Sequence, residues 1–252
     1  MTLEPEGLWY RARKKGTDSA TLRADQDRAW KEIGDLLITA DPHPYDYTAQ
    51  VVLSDSAAAR ARYELAGGAV ENGRRLAKKA AEHTPKSKEV MNNLGSMLAE
   101  FRVFDDAVGF FEKAIALDSD YFMARKNIGI VLRAKGDLDA ARIQFLALLQ
   151  MDEKDVVANR ELGEIARRKE NWPEAVVFLE RYGRMAQDAE ALRNAGLIAF
   201  FELKDSPHAL SLLRASLAID ANQEEVKELE KRLAANQDAE IGKFIAFEAA
   251  IS

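Results

Sequence analysis

Among the side chains able to do catalytic or metal chemistry, the three histidines come first. His43, His83 and His208 lie far apart in the sequence. A zinc site needs three or four ligands brought together, commonly from short sequence spacings. The pattern therefore predicts no metal site. It places His83 at the end of a helix, His208 at the start of one, and His43 in a loop.

The usual nucleophile, phosphate-loop and metal motifs are missing. The chain has no Cys, G-x-S-x-G or H-E-x-x-H, and its stretch ELAGGAVENG is interpreted as a turn between helices. The carboxylate pairs Asp105-Asp106 and Glu224-Glu225 stand at expected helix starts, where negative charge favours the exposed N–H groups. We therefore predict no catalytic residue, no cofactor and no enzymatic activity.

Three asparagines offer a different chemistry. Asn93, Asn127 and Asn194 each stand two residues before a glycine. An Asn side chain donates and accepts hydrogen bonds at once, so it matches both polar groups of a peptide unit. These residues favour peptide binding, provided that the fold places them on one surface.

The elements that position these side chains follow a repeat. Gly95, Gly129, Gly163 and Gly196 are 34, 34 and 33 residues apart, and two further ladders keep a spacing of 34: Ala107, Ala141, Ala175 and Ala209, and then Phe111, Phe145, Leu179 and Leu213. One extra residue in the turn KDSPHA compensates for the shorter step. A fixed period of this length is typical of an array of stacked structural units.

Each unit has the pattern of two helices. Apolar residues recur with helical period, as in Met91, Leu94 and Leu98 and again in Val108, Phe111 and Ile115. Breaks fall at Gly136-Asp137, at Asn171-Trp172-Pro173 and at Asp205-Ser206-Pro207. A Gly within a helix costs roughly 1 kcal/mol against Ala. We therefore expect each ladder Gly to allow close approach to the ladder Ala, with the Phe111 ladder filling the space between hairpins.

The apolar-Gly pair, the Ala ladder and the large residue four positions later resemble the tetratricopeptide repeat. The resemblance implies an all-α fold, namely a right-handed superhelical array of helix-turn-helix repeats with a C-terminal capping helix. The closing proline of such repeats is replaced by Ser119, Glu153 and Ala221. The predicted array covers 54–222, as a degenerate repeat 54–87 followed by 88–121, 122–155, 156–188 and 189–222.

The two ends of the chain show no such repeat. In residues 1–53 we expect an irregular start, a helix from about Asp25 to Thr39, and a loop through DPHPYDY. Residues 223–252 begin as a charged amphipathic helix with Val226, Leu229 and Leu233 on one face. The apolar segment after it either packs back on the array or contacts another molecule.

Composition excludes several classes of function. The 36 basic and 42 acidic residues give a formal net charge of -6, which disfavours non-specific nucleic-acid binding. No stretch approaches the ~18 apolar residues that a membrane span needs. The charged N-terminus is unlike a secretory signal. Together with the absence of Cys, these features lead us to expect a cytoplasmic protein that binds no nucleic acid and does not insert into a membrane, with an excised or processed extracytoplasmic domain as the alternative.

The predicted binding surface is the inner side of the array, formed by the first helix of each repeat. Its candidate residues are Asn92, Asn93, Lys126, Asn127, Arg133, Arg160, Arg167, Arg193, Asn194 and Phe200. Inward asparagines resemble those with which many tetratricopeptide proteins bind an extended peptide, although Asn there also belongs to the ordinary repeat pattern. The basic residues suggest an acidic ligand, unless Glu100, Glu161 and Glu164 pair with them. Phe200 and its neighbour Phe201 cannot both face the same core.

The sequence thus predicts an interaction scaffold or adaptor that holds an extended, partly acidic segment of another protein or peptide. The alternative is a self-assembling structural protein, in which the apolar C-terminal segment inserts into a neighbour's groove to form a homo-oligomer. An enzyme within residues 1–53 and a repeat protein that reads nucleic acid are disfavoured by the same observations.

Overall fold

The computed structural model describes residues 2–6, 9–13 and 47–235. The predicted helix at 25–39, the loop residues 41–46 with His43, and the segment 236–252 lie outside the described residues. Strands β1 (Thr2–Glu6) and β2 (Trp9–Arg13) pair antiparallel, with Leu3 opposite Ala12. These strands lie in the segment for which the sequence predicted an irregular start. Aromatic residues favour strands, but two five-residue segments are too short to show a clear alternation.

Residues 47–235 are all-α, as predicted. In order, the helices are α1 (Tyr47–Ala66), α2 (Val70–His83), α3 (Lys88–Glu100), α4 (Phe104–Leu117), α5 (Phe122–Lys135), α6 (Leu138–Met151), α7 (Val156–Arg168), α8 (Trp172–Ala186), α9 (Ala189–Phe201), α10 (Ser206–Ile219) and α11 (residues 224–235). No helix among these residues is long and apolar enough to cross a membrane.

The chain divides into two compact units, one ending at Lys135 and the other beginning at Gly136. In unit 1, α1 packs against α2, α3 against α4, and α4 against α5. In unit 2, α7 packs against α8, α8 against α9, and α9 against α10. Within the described residues, the helices of each unit therefore pack as consecutive neighbours around that unit's own hydrophobic core. The confirmed fold class is a helical-repeat protein.

Side-chain caps explain where several helices begin. Asp137, Asp155, Asp188 and Asp205 each accept a hydrogen bond from the backbone N–H three residues ahead, at 2.6–3.0 Å. These bonds satisfy N–H groups that have no partner within the helix. Asn171, which precedes α8, forms no such bond to the backbone, and its amide donates to Glu174 at 2.9 Å.

The turns within the hairpins share one backbone feature. Gly68, Arg102, Gly136, Glu170 and Lys204 all have positive φ, between 55° and 89°, and are 34 residues apart. At Arg102 the next N–H, of Val103, donates to Leu98 O at 2.9 Å, which closes a Schellman-type turn. Gly is the residue that usually adopts this conformation. Because Arg102, Glu170 and Lys204 stand at three of the five positions, the sequence did not show this repeated turn.

The ladder glycines do allow close helix approach. A Cβ built on Gly95 would lie 2.7 Å from the ring of Phe111 and 3.0 Å from Ala107 O. At Gly163 it would lie 3.0 Å from the side chain of Leu179. The large ladder residue thus covers the Gly of its own hairpin.

Candidate functional site

The two described histidines, His83 and His208, have structural positions at helix ends. His83 is the buried last residue of α2, and His208 lies in the first turn of α10 with Nε2 2.8 Å from Glu180 Oε2. Burial raises the pKa of Glu180, but hydrogen bonds from Arg184 and His208 outweigh it and lower the pKa overall. Within the part of the chain that the structure describes, no three metal-binding side chains cluster.

In unit 1, a shallow groove of about 310 Å³ runs between the first helices α1 and α3. Asn93 is exposed and lines this groove. Arg62 donates to Glu100 at 2.8 Å, which ties α1 to α3. The groove lining consists of Ser54, Asp55, Ala58, Ala59, Arg62, Val90, Asn93, Leu94 and Met97. Its charges are one acidic and one basic side chain, so it is nearly neutral.

Two other asparagines of unit 1 bind each other. Asn127 on α5 donates from Nδ2 to Asn92 Oδ1 on α3 at 2.9 Å and to Ser96 Oγ at 3.4 Å. Asn92 is only 6% exposed. A buried amide needs such a partner because desolvation without one costs free energy. This pair therefore joins consecutive first helices, and Asn92 does not lie open to a ligand.

The two basic candidates of unit 1 are half-buried on α5. The ammonium group of Lys126 lies 5.8 Å from the centre of the Phe122 ring, within the range of a cation–π contact. Arg133 lies in the last turn of the same helix, where a positive charge is favourable. Both residues therefore have a local structural role on α5.

In unit 2, the arginines of the predicted basic lining have acidic neighbours. Arg160 donates to the buried Glu161 at 2.9 Å. Arg167 forms two hydrogen bonds of 2.9 Å with Glu164, and Arg168 adds a third at 3.0 Å. The bond from Arg167 is the main reason why the pKa of Glu164 is lowered. The pairing that the sequence left open is therefore present.

Unit 2 has a cavity of about 660 Å³ between α9 and α11, which is larger than the groove of unit 1. Leu197, Phe201, Val226 and Leu229 give it an apolar surface. Its polar lining consists of Arg193, Asp220, Asn222, Gln223, Glu224 and Glu225. Arg193, half-buried, lies 3.4 Å from Glu190. An apolar surface with a few charged groups around it is the usual composition of a binding cavity.

Of the two adjacent phenylalanines, the structure brings the unexpected one into the cavity. Phe201 is 53% exposed and lines it, whereas Phe200 packs against the hydrophobic core of unit 2. Their rings meet edge to face, with centroids 4.8 Å apart. Asn194 is half-buried on α9 and is not among the cavity-lining residues. The structure therefore places Phe201 in this cavity and Phe200, the ring named from the sequence, against the core.

The wall formed by the α10–α11 connection is held in place by polar contacts. Ser216, which is buried, donates to Ala189 O at 2.7 Å, and Gln223 donates to Ser216 Oγ at 3.0 Å. Arg214 on α10 donates to Glu230 on α11 at 2.7 Å. Val226 and Leu233 bury against the unit 2 core, as their spacing predicted. These contacts fix a cavity that sequence analysis missed, because it treated α11 only as a cap.

The repeat pattern, hairpins and first-helix surfaces place the chain in the tetratricopeptide-repeat family. The sequence model of that family matches residues 58–122 and 126–184. The chain belongs to this family, whose members are in general non-enzymatic scaffolds for protein–protein interaction. No match was found among curated proteins.

Solved structures with the same fold include YrrB, described as a tetratricopeptide-repeat protein with an unusual peptide-binding site. It is 16% identical, with a TM-score of 0.51, and the match covers 80% of this chain and 96% of YrrB. A MamA structure has 16% identity and a TM-score of 0.55, over 68% of this chain and 94% of MamA. MamA residues 41-end from Desulfovibrio magneticus RS-1 have 19% identity and a TM-score of 0.52, over 68% and 96%. At these identities, the similarity shows the fold alone.

Proposed function

We propose that this chain is a non-enzymatic adaptor that binds an extended segment of a partner protein on the surfaces of its first helices. The observation that carries the proposal is the cavity between α9 and α11, where Phe201 leaves half of its surface exposed beside Leu197 and Leu229. Exposed aromatic rings in a preformed cavity are frequent anchors for a partner's side chain. Burying the exposed ring against a partner would remove its apolar surface from water and so contribute free energy to binding.

The groove of unit 1 supports the same proposal. Asn93 is exposed there beside the apolar side chains of Leu94 and Met97. Its amide can donate to and accept from one peptide unit of an extended ligand. YrrB, which shares the fold, is described as having a peptide-binding site. We propose peptide binding for this chain because of its own groove between α1 and α3 and its cavity between α9 and α11.

The pairing of the arginines changes the expected ligand. Arg160, Arg167 and Arg168 already bind Glu161 or Glu164. An acidic ligand would have to displace these internal carboxylates, and exposed ion pairs leave little net positive field. The argument for a partly acidic ligand therefore no longer applies to α7, and the ligand of the adaptor is defined here by its extended backbone and an apolar anchor.

Selection of random-sequence peptides on the full chain tests this proposal. We expect binders whose affinity drops at least about tenfold in Phe201→Ala, the size of loss typical of an anchor. Ile143→Ala is the control, because Ile143 is 63% exposed on α6, a second helix outside the cavity. Failure to select any binder, or equal binding to both variants, would reject the adaptor proposal.

Two further predictions stay as they were. Self-assembly through the C-terminal segment depends on residues 236–252, which lie outside the described residues. The cytoplasmic location also remains a prediction. Solution mass and fractionation of the full chain would address them separately.

A further inference from the structure

The cavity between α9 and α11 has an excess of negative charge. Three carboxylates, Asp220, Glu224 and Glu225, line it against one guanidinium, that of Arg193. Just outside the lining, Glu190 lies 3.4 Å from Arg193, Lys227 bonds Glu224 at 2.7 Å, and the charge of Lys231 also acts on Glu224. The lining residues themselves carry a formal charge of −2, from three carboxylates and one guanidinium.

The carboxylates differ in their availability. Asp220 accepts the backbone N–H of Asn222 at 2.9 Å, which holds it in the turn before α11. Lys227 occupies one oxygen of Glu224 and is the main reason why its pKa is lowered. Glu225 is exposed in the first turn of α11, and none of the hydrogen bonds or ion pairs found within residues 47–235 involves it. It is thus the carboxylate best placed to receive a charge from outside.

Phe201 adds a second reason for a positive ligand. Its exposed ring lies in the same cavity as these carboxylates. A guanidinium or ammonium group is attracted to the face of an aromatic ring, more strongly when partly desolvated. The same group gains further from a nearby carboxylate. Leu197, Val226 and Leu229 would receive an apolar side chain next to it in the ligand.

We infer that the α9–α11 cavity selects a partner segment in which Arg or Lys is adjacent to an apolar residue. This inference rests on the proposed function. The cation binds over Phe201 and pairs with Glu225, and the apolar neighbour binds Leu197 and Leu229. The ligand at this cavity is basic, in contrast to the acidic ligand that the sequence alone predicted. Charge complementarity of this kind contributes chiefly to specificity and to the rate of association.

The composition of selected peptides tests the inference separately from the adaptor function. Random-sequence peptides are selected on the full chain, and those whose binding depends on Phe201 are sequenced. We expect Arg or Lys beside an apolar residue to be enriched in this set. Phe201-dependent peptides with no basic enrichment would overturn the inference while leaving the adaptor function intact. Absence of any Phe201-dependent peptide would overturn both.

A charge reversal makes the test sharper. Glu225→Arg is expected to weaken a selected basic peptide at least about tenfold and to favour its counterpart in which the basic residue is replaced by Glu. Glu228→Arg is the matched control, because it makes the same change of charge on α11 at an exposed residue that pairs with Arg232 at 2.9 Å and does not line the cavity. Equal effects of the two variants would contradict the proposed pairing. Circular dichroism of each variant checks that helicity is retained.

The mass of the full chain in solution tests whether a second copy of the chain occupies the cavity instead. If the chain is a homo-oligomer that Phe201→Ala converts to a monomer, the cavity holds a second copy of the chain, and the inference is wrong. A mass unchanged by Phe201→Ala, together with Glu225-dependent binding of basic peptides, is the result we expect.

Discussion

The first helices of unit 1 and of unit 2 come from the same repeat, yet their surfaces differ. In unit 1, Asn127 bonds Asn92 across two first helices, and the groove that remains is small and nearly neutral. In unit 2, the position of Asn92 is taken by Arg193, and the cavity beside it has twice the volume and an acidic lining. Equivalent positions in a repeat therefore share a backbone location and not a role. The bonding partners of each side chain decide whether it supports the array or meets a ligand.

The largest expected effect concerns the glycines that bring helices together. Gly95→Val in unit 1 should destabilise the protein by about 3 kcal/mol, because the new atoms would overlap the buried ring of Phe111. Gly163→Val in unit 2 should cost less, since the first added carbon meets Leu179 at 3.0 Å rather than a ring at 2.7 Å. Urea denaturation followed by circular dichroism measures both.

The control for this comparison is another helical glycine. A Cβ at Gly109, within α4, would meet nothing within 4 Å. Gly109→Ala should therefore stabilise the protein by roughly 0.5–1 kcal/mol through helix propensity. A loss of stability at Gly109, or none at Gly95, would contradict the packing role of the ladder.

The second prediction compares two asparagines at the same repeat position. Asn127→Ala should cost roughly 1–2 kcal/mol, because it leaves the buried amide oxygen of Asn92 without its donor. Asn194→Ala should change stability by less than about 0.5 kcal/mol, as for most surface substitutions, since no hydrogen bond to Asn194 is found within residues 47–235. Equal losses in urea denaturation would remove the distinction between the two units.

A gain in stability is expected at the left-handed turns. Glu170→Gly should stabilise unit 2 by roughly 0.5 kcal/mol, because Gly adopts its φ of 55° without strain and only part of this gain is lost to unfolded-state entropy. Arg102→Gly in unit 1 should gain less, because Arg102 also stacks over the Phe104 ring at 5.5 Å. Melting temperatures that fall in both variants would argue against strain at these turns.

The smallest effect is a dependence on pH. The ammonium group of Lys88, 2.5 Å away, is the main reason why the pKa of Asp118 is lowered. A carboxyl whose pKa is depressed by folding stabilises the protein above its unfolded pKa and loses that contribution as pH falls through the folded value. Asp118→Asn should therefore lower the melting temperature at neutral pH, and the difference should shrink below about pH 4.

The counterpart in unit 2 is Glu164→Gln. The pKa of Glu164 is lowered in the same direction, mainly by the hydrogen bond from Arg167. Its partners lie on its own helix, α7, whereas Asp118 and Lys88 join the end of α4 to the start of α3. The melting temperature of Glu164→Gln should accordingly depend less on pH. The reverse order of the two variants would show that the contact between helices is not the stabilising one.

The candidate site was only partly accessible to sequence reasoning. The positions of Asn93 and Arg193 followed from the repeat, and both line the surfaces of first helices. The choice between Phe200 and Phe201 did not, because adjacent residues on a helix differ by a rotation that only neighbouring helices can resolve. The acidic cavity lining was also missed, since it comes from the α10–α11 connection and the first turn of α11 and not from the repeated pattern.

By itself, the sequence determined the family, the hairpins, and the small residues at which helices meet, because these properties depend on spacing along one chain. Tertiary structure alone decided which arginines are paired, that Asn92 is buried against Asn127, and that Phe201 lies in an acidic cavity. These features depend on distances between helices far apart in sequence. A periodic pattern specifies which face of a helix is buried. The charge and hydrogen bonds of the opposite face depend on the side chains of the neighbouring helix.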